Sequence, residues 1–165
     1  MAGSLEQLFH TTLKDVYYAE RHLLKALPKM ARASAAPELR EALLTHRDET
    51  QGQIERLQQV FEALNRRAQG TTCEAIDGIT SEFEELMEEF PEPSPVRDAG
   101  VIACGQAAEH YEIARYGTLV AWAKALDMRD AAKLLEETLQ EEKAADKLLN
   151  QLAAKGVNVS AARAA

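Results

Sequence analysis

Four long stretches of the 165-residue chain repeat their apolar residues with the period of an α-helix. In the first stretch Leu5, Phe9, Leu13 and Val16 follow one another at intervals of three or four residues. Such a stripe covers one face of a helix and must be buried against other helices. Aromatic residues make up only 5% of the chain, and the frequent Ala, Leu, Glu and Lys favour helices over strands. The sequence therefore predicts an all-α fold.

Serine and proline mark where the first two helices begin. Ser4 is a typical N-cap, and the first helix is predicted over about 4–34. Pro28 falls inside this pattern, so we expect a kink there. Pro37 suits the first turn of the next helix, which is predicted over about 37–66.

The second half of the chain repeats this arrangement. Ser94 as N-cap and Pro95 in the first turn predict a helix over about 95–126. A short turn separates it from a last long helix over about 129–154. The tail from 155 to 165 has no apolar period and is expected to be loose.

An acidic segment over about 72–90 has a shorter helical pattern and connects the two halves. Two helix pairs, each with a short turn and joined by one long crossover, describe a four-helix bundle with an additional short helix. The length of 165 residues fits a single domain over 1–165.

The charge balance excludes several classes of partner. Asp and Glu number 27 against 19 Lys and Arg, which gives a formal net charge of −8. Nucleic acid and anionic membranes attract the opposite charge, so we expect neither as a partner. The N-terminal residues lack the pattern of a signal peptide, which predicts a cytoplasmic protein. Cys73 and Cys104 lack zinc-site spacing.

Polar residues interrupt the apolar stripe of every long helix. Glu20 lies three residues before Leu23 on the first stripe, and Glu112 and Glu142 hold equivalent inward positions on the third and fourth long helices. Further polar residues of these helices lie on an apolar stripe or at its margin. The complete set of candidate metal ligands is Glu20, Glu49, Gln53, Glu109, Glu112, Glu142 and Asp146.

Several inward carboxylates in one core need a shared cation, because a buried unpaired carboxylate costs several kcal/mol. Arg115 is the main cationic side chain near the stripes, so two divalent metal ions bridged by the carboxylates are the more economical solution. Oxygen ligands favour iron or manganese. Neighbours expected to hydrogen-bond the ligands rather than bind metal are His46, His110, Tyr18 and Tyr111.

Four segments resemble the ferritin-like YciE/YciF family of bacterial stress proteins. They are DVYYAERHLLKALPKMA at 15–31, HRDETQGQIERLQQVFE at 46–62, EHYEIARYGTL at 109–119 and LLEETLQEEKAAD at 134–146. The resemblance covers about 5–154. It implies a ferritin-like four-helix bundle, a homodimer rather than a cage, and a dinuclear iron site that oxidises Fe²⁺ under stress.

The chain departs from the wider di-iron pattern, which places Glu-x-x-His on two helices. Here the matching helices carry Glu49 with Gln53 and Glu142 with Asp146, each at a spacing of four. Oxygen in place of imidazole should move the preference from iron toward manganese.

Three functions remain open at this point. The first is oxidation of Fe²⁺ by O₂ or H₂O₂, with no residue singled out as catalytic. The second is dismutation of peroxide at a manganese site. The third is a non-enzymatic dimeric stress protein whose inward polar residues form a hydrogen-bonded network and whose surface binds a partner.

Overall fold

The computed structural model describes residues 3–164, and the all-α prediction is confirmed over this range. Each predicted helix is present, with its ends within one turn of those expected. The helices are α1 (Leu5–Ala33), α2 (Pro37–Ala63), α3 (Glu74–Glu89), α4 (Pro95–Ala125), α5 (Arg129–Leu152) and α6 (Asn158–Arg163), with a π-helical turn (Ala153–Val157) before α6. Within residues 3–164, no helix combines the length and apolar character needed to cross a bilayer.

The predicted caps form as the local sequence indicates. The hydroxyl of Ser4 accepts from the backbone N–H of Gln7, and the side chain of Gln7 accepts from the backbone N–H of Ser4, which completes a capping box. The hydroxyl of Ser94 accepts from the backbone N–H of Arg97 at 3.1 Å. Helix α1 continues through Pro28.

The four long helices pack in a closed ring. Helix α1 contacts α2 and α4, and α5 contacts the same two helices. Neighbours in the ring are antiparallel: His10 near the start of α1 stacks edge-on against Phe61 near the end of α2, with ring centroids 6.0 Å apart. Helix α3 crosses the outside of the ring and packs against α4 and α1.

Besides a small buried cluster around Leu23 and Ile76 under α3, two larger apolar clusters lie along the ring. The first includes Phe9, Leu13, Leu57, Phe61, Leu119 and Leu135. The second includes Leu27, Met30, Leu39, Leu43, Ile102 and Leu149. On every long helix the inward polar residues occupy the positions between these clusters. We call this the polar layer; it contains Glu20, His46, Gln53, Glu109, Glu112 and Glu142.

The beginning of α4 ties together three chain segments at one end of the ring. The carboxylate of Asp98 accepts from the backbone N–H groups of Ala35 at 2.7 Å and Ala36 at 2.8 Å, in the turn between α1 and α2. The guanidinium of Arg97 donates to the carbonyl of Ala33 and to the loop that follows α3. Both side chains are buried.

The segment after α5 differs from the expected loose tail. It continues as the π-helical turn and α6 up to Arg163. Leu152, Ala153 and Val157 pack against the second apolar cluster, and α6 contacts α4. These tertiary contacts stabilise a helix that its own sequence does not indicate. Residue 165 lies outside the described residues.

Candidate metal centre

Four side chains of the polar layer form a compact buried cluster. The imidazole of His46 and the carboxylates of Glu109, Glu112 and Glu142 each offer one ligand atom, and these atoms all lie within 4.8 Å of one another. They come from α2, α4 and α5. Glu109 and Glu112 are three residues apart on α4, so both project from the same face of that helix.

His46 lies at the centre of the cluster. Its Nδ1 is 3.1 Å from Oε2 of Glu49, one turn onward on α2. Its Nε2 is 3.1 Å from Oε1 of Glu109 and 3.4 Å from Oε2 of Glu142. The sequence places His46 as a neighbour of the ligands, whereas in the structure one ring nitrogen is close to two of the carboxylates themselves.

Glu20 reaches the same layer from α1. The hydroxyl of Tyr116, on α4, donates to Oε1 of Glu20, and both side chains have no solvent exposure. Tyr116 is not among the predicted site residues. It lies four residues after Glu112, on the same face of α4, and that spacing is the signal that could have identified it.

Six buried oxygen atoms of the layer have no hydrogen-bond partner among residues 3–164. They are Oε2 of Glu20, Oε1 of Gln53, Oε2 of Glu109, Oε1 of Glu112 and both oxygens of Glu142. A buried acceptor without a donor costs about 1–3 kcal/mol, and more if it is charged. Such a concentration of unmet acceptors in one layer indicates a site for a cation.

Burial raises the pKa of three carboxyl groups in the layer, those of Glu20, Glu112 and Glu142. For Glu20 burial outweighs the opposing hydrogen bond from Tyr116 and raises the pKa to about 8. For Glu112 burial acts with the charges of Glu142 and Glu20 to hold the pKa well above its usual range. The pKa of Glu142 is raised in the same direction, first by burial and then by the charge of Glu20.

The pKa of His46 is shifted upward by its partners. Burial alone would lower this pKa, but the hydrogen bonds to Glu109 and Glu49, together with the negative charges of Glu109 and Glu142, raise it well above the usual value. An imidazolium at this position donates from both ring nitrogens, and its charge offsets one carboxylate.

A second polar group joins α2 to α5 beside the cluster. The side-chain amide of Gln53 donates to Oε2 of Glu141 at 3.0 Å. Arg56 also contacts Glu141 and donates to the hydroxyl of Thr138 at 3.0 Å. Arg56 therefore takes the role of the cation nearest the layer, for which the sequence favoured Arg115.

Arg115 itself is exposed. Its guanidinium carbon lies 5.3 Å from the centroid of the Tyr111 ring. The expectation that Arg115 lies near the inward carboxylates is therefore wrong, because its side chain is exposed and extends over the Tyr111 ring instead.

Two of the predicted ligands lie at the margin of the site or beyond it. The side chain of Glu49 is 41% exposed and reaches the cluster only through His46. Asp146 is paired with the exposed His110, whose Nε2 is 3.1 Å from Oδ1 of Asp146. Glu49 is thus held beside the cluster, whereas Asp146 and His110 form a separate pair.

The two predicted tyrosine neighbours make contacts elsewhere. The hydroxyl of Tyr18 donates to Oδ1 of Asp77 on α3 at 2.8 Å. The hydroxyl of Tyr111 is 3.0 Å from Sγ of Cys73. Both tyrosines thus fasten α3 and its N-terminal flank to the ring, and Tyr116 is the tyrosine that contacts a carboxylate of the layer.

A cavity of about 110 Å³ adjoins the cluster between α2 and α5. Its mouth is formed mostly by small and apolar side chains. The lining residues are Ala42, Leu43, Thr45, His46, Glu49, Glu109, Ala144, Ala145, Leu148 and Leu149. The cavity is large enough for a few water-sized molecules and borders His46 and Glu109.

Comparisons with known proteins agree with this architecture. The protein named Protein YciF from Escherichia coli (strain K12) is 46% identical over 159 residues, which cover 96% of this chain and 95% of YciF. The crystal structure of that stress protein superimposes with a TM-score of 0.89 and covers 95% of this chain and 99% of YciF.

Two further solved structures are similar. YcfI from Rhodopseudomonas palustris, described as a structural protein, is 47% identical, with a TM-score of 0.87 over 90% of this chain and 94% of that one. A protein from Xanthomonas campestris pv. campestris is 25% identical, with a TM-score of 0.72 over 95% of this chain and 94% of that one.

The family model described as "Domain of unknown function (DUF892)" matches residues 4–162. This match and the similarity to YciF confirm the resemblance inferred from the four sequence segments. The chain belongs to the DUF892 family and is a relative of the E. coli stress protein YciF.

Proposed function

We propose that the polar layer of a ferritin-like four-helix bundle binds two divalent metal ions, iron or manganese, and that the protein oxidises Fe²⁺ with O₂ or H₂O₂. The observation that carries this proposal is the set of six partnerless buried oxygen atoms that face one layer of the core. The contacts of α1, α2, α4 and α5 in a ring, with α3 in the long crossover, support the bundle topology.

The donor set fits such ions in charge and in chemical type. Glu20, Glu109, Glu112 and Glu142 carry four negative charges when ionised, and two divalent ions balance them. Carboxylate and amide oxygens with one imidazole suit iron and manganese better than thiolate-seeking metals. Gln53 can supply the amide oxygen, because its Nε2 is already bonded to Glu141.

His46 supplies an imidazole in a different order from the usual di-iron pattern. It precedes Glu49 by three residues on α2, where the usual motif has histidine three residues after glutamate. The site would therefore combine four carboxylates with a single imidazole. This donor set weakens the preference for iron over manganese relative to a site with two histidines.

The chain's own residues prepare the layer for redox chemistry. When bound, the ions would supply one-electron transfer to O₂ or H₂O₂. Carboxylates around them stabilise the higher charge that remains after Fe²⁺ loses an electron. Tyr116 holds the carboxylate of Glu20 in place, and the apolar clusters on both sides exclude bulk water. The cavity beside His46 and Glu49 gives small oxidants access.

The proposal includes a homodimeric stress protein rather than a storage cage. The stress role rests on the likeness to YciF, which is described as a stress protein. The dimer is what the resemblance to the ferritin-like family implies. A solution mass of two chains supports this part of the proposal, and an assembly of 12 or 24 chains contradicts it.

A specific observation favours one alternative function. His46 contacts Glu49, Glu109 and Glu142, so its positive charge partly compensates the layer without any ion. In this alternative the layer is a hydrogen-bonded network inside a non-enzymatic protein. The description of the relative YcfI as a structural protein points in the same direction.

The decisive experiment removes one central carboxylate at a time. Glu112→Gln and Glu142→Gln preserve side-chain volume and remove a negative charge. We expect each variant to lose the aerobic Fe²⁺ oxidation of the wild type and most of the increase in melting temperature that Fe²⁺ or Mn²⁺ gives it. Absorbance of Fe³⁺ and thermal unfolding with and without metal measure the two effects. A parallel assay of O₂ release from H₂O₂ with Mn²⁺ tests dismutation.

Glu85→Gln is the matched control, because Glu85 lies exposed on α3. It should leave both the oxidation rate and the metal-induced stabilisation unchanged. Wild-type protein that oxidises Fe²⁺ no faster than buffer, and that gains no stability from either metal, contradicts the proposal and favours the non-enzymatic alternative.

A further inference from the structure

A cavity of about 520 Å³ lies on the outside of the ring, between α1 and the loop that joins α2 to α3. This cavity is distinct from the polar layer, because none of the candidate metal ligands lines it. The lining residues are Tyr18, Arg21, His22, Lys25, Arg67, Ala68, Gln69 and Gly70. A volume of this size falls in the range of small-molecule sites.

Three cationic side chains converge on this cavity in a chain whose net charge is −8. Arg21 and Lys25 lie one turn apart on the same face of α1, and Arg67 stands on the facing loop. Within residues 3–164, none of the three has a carboxylate oxygen within 4.0 Å. Like charges one turn apart on a helix repel each other, so an anion placed between them would relieve that repulsion.

An acidic group that contacts two of the lining residues is already engaged. Asp77 accepts from the hydroxyl of Tyr18 at 2.8 Å, and its Oδ1 lies 3.7 Å from Nδ1 of His22. It does not line the cavity. The carboxylate therefore contacts Tyr18 and His22 and pairs with none of the three cations. The guanidinium of Arg21 also lies 5.7 Å from the centroid of the Tyr17 ring, a contact that leaves its positive charge without an anionic partner.

The loop between α2 and α3 packs closely against α1 at one side of the cavity. The backbone N–H of Thr71 donates to the carbonyl of Lys14 at 3.3 Å. A Cβ atom at Gly70 would lie 3.2 Å from Cα and 3.3 Å from N of Tyr18. These are backbone atoms of a helix, which shift less readily than the end of a side chain, so the close approach of the loop favours glycine at this position.

We propose that this cavity binds a small phosphate-bearing molecule with at least two negative charges, and that Arg21, Lys25 and Arg67 contact its phosphate groups. Guanidinium groups recognise phosphate oxygens through paired hydrogen bonds, and the lysine adds a mobile point charge. Three positive charges around one cavity match the negative charge of one or two phosphate groups. A nucleic acid would need a longer basic track, which the acidic remainder of the chain does not favour.

The test uses the full chain after dialysis against EDTA, so that no bound metal can take up phosphate. Calorimetric titration with inorganic pyrophosphate, ADP and uncharged adenosine measures binding directly. We expect pyrophosphate and ADP to bind and adenosine not to bind. The double variant Arg21→Gln/Lys25→Gln should bind pyrophosphate and ADP about tenfold more weakly or worse, since each cation makes charge-assisted contacts with phosphate oxygens.

The double variant Lys133→Gln/Lys147→Gln is the control, because it removes the same charge from exposed positions on α5, outside the cavity. It should bind pyrophosphate as the wild type does. Equal weakening in both double variants, or no binding of pyrophosphate or ADP by the wild type, overturns the proposal. A single-stranded oligonucleotide that binds more tightly than ADP also overturns it. Gly70→Val, which should displace the loop from α1, provides an independent variant and should weaken ADP binding as well.

Discussion

At the residue scale, the pair formed by Glu20 and Tyr116 explains how a carboxyl group can lie fully buried in the core. The hydroxyl of Tyr116 satisfies one oxygen of Glu20, and the other oxygen has no partner among residues 3–164. The pKa of Glu20 is raised by burial to about 8, so this carboxyl is largely protonated at neutral pH when no ion is bound. Protonation is the form in which its burial costs least.

Tyr116→Phe should therefore destabilise the metal-free protein. The substitution preserves the ring and removes only the hydroxyl that donates to Glu20, so we expect the free energy of unfolding to fall by about 1–3 kcal/mol. Urea denaturation measures the loss. Tyr111→Phe is the matched control, since its hydroxyl contacts only the weak partner Cys73 among the described hydrogen bonds, and should cost less. Equal stability of Tyr116→Phe and wild type would show that this hydrogen bond contributes nothing.

Sequence patterns predicted part of the residue-level picture. The inward positions of Glu20, Glu112 and Glu142 follow from helical spacing and agree with their burial. The central location of His46 could not be predicted, because spacing places a residue on a face but does not say which side chains of two other helices meet it. Spacing also failed for Asp146, which was predicted as a ligand because it lies beside the apolar stripe. Its side chain turns outward and contacts His110 instead.

At the element scale, the sequence predicted the start of a helix correctly wherever a capping residue precedes that helix. Ser4 and Ser94 cap α1 and α4 as expected, because capping depends on residues within one turn. Helix α6 could not be predicted in this way. Its six residues are too few to be stable alone, and they are helical because they pack on α4 and continue from the π-helical turn.

Two glycines of α4 should respond in opposite ways to the same substitution. Gly117 has no atom within 4 Å of an added Cβ, so Gly117→Ala should raise stability by about 0.5–1 kcal/mol through helix propensity. An added Cβ at Gly100 would lie 2.5 Å from Cδ1 of Leu86 on α3. Gly100→Ala should thus lose that gain or lower stability, because Leu86 must move and α3 with it. Thermal unfolding of both variants tests the difference. A gain in both would mean that α3 packs loosely on α4.

At the scale of the whole molecule, the polar layer separates two apolar clusters and makes stability depend on protons. Glu20, Glu112, Glu142 and His46 all have a raised pKa in the folded state. Each group therefore binds its proton more tightly when the chain is folded than when it is unfolded. Their contribution to stability is complete below the unfolded pKa and is lost as the pH rises through the folded pKa.

The metal-free protein should consequently lose stability as the pH rises from about 4.5 to about 8. For Glu20 the window extends from the ordinary value of 4.5 to about 8. Urea denaturation at several pH values measures the slope. Glu20→Gln removes one titrating group and should flatten it, whereas Glu85→Gln on the exposed face of α3 should leave it unchanged. Stability that rises over this interval would contradict the raised pKa of these groups.

The bonds that Arg97 and Asp98 make at the start of α4 affect the order in which the chain can fold. They join residues more than 60 positions apart, from Ala33 to Arg97 and from Ala36 to Asp98. The hairpins α1–α2 and α4–α5 close over three-residue turns and cost little loop entropy, whereas this junction closes the loop that contains both α2 and α3. The folding route with the lowest loop-closure cost therefore forms the two hairpins first. The bonds of Arg97 and Asp98 then join the hairpins into one cooperative unit.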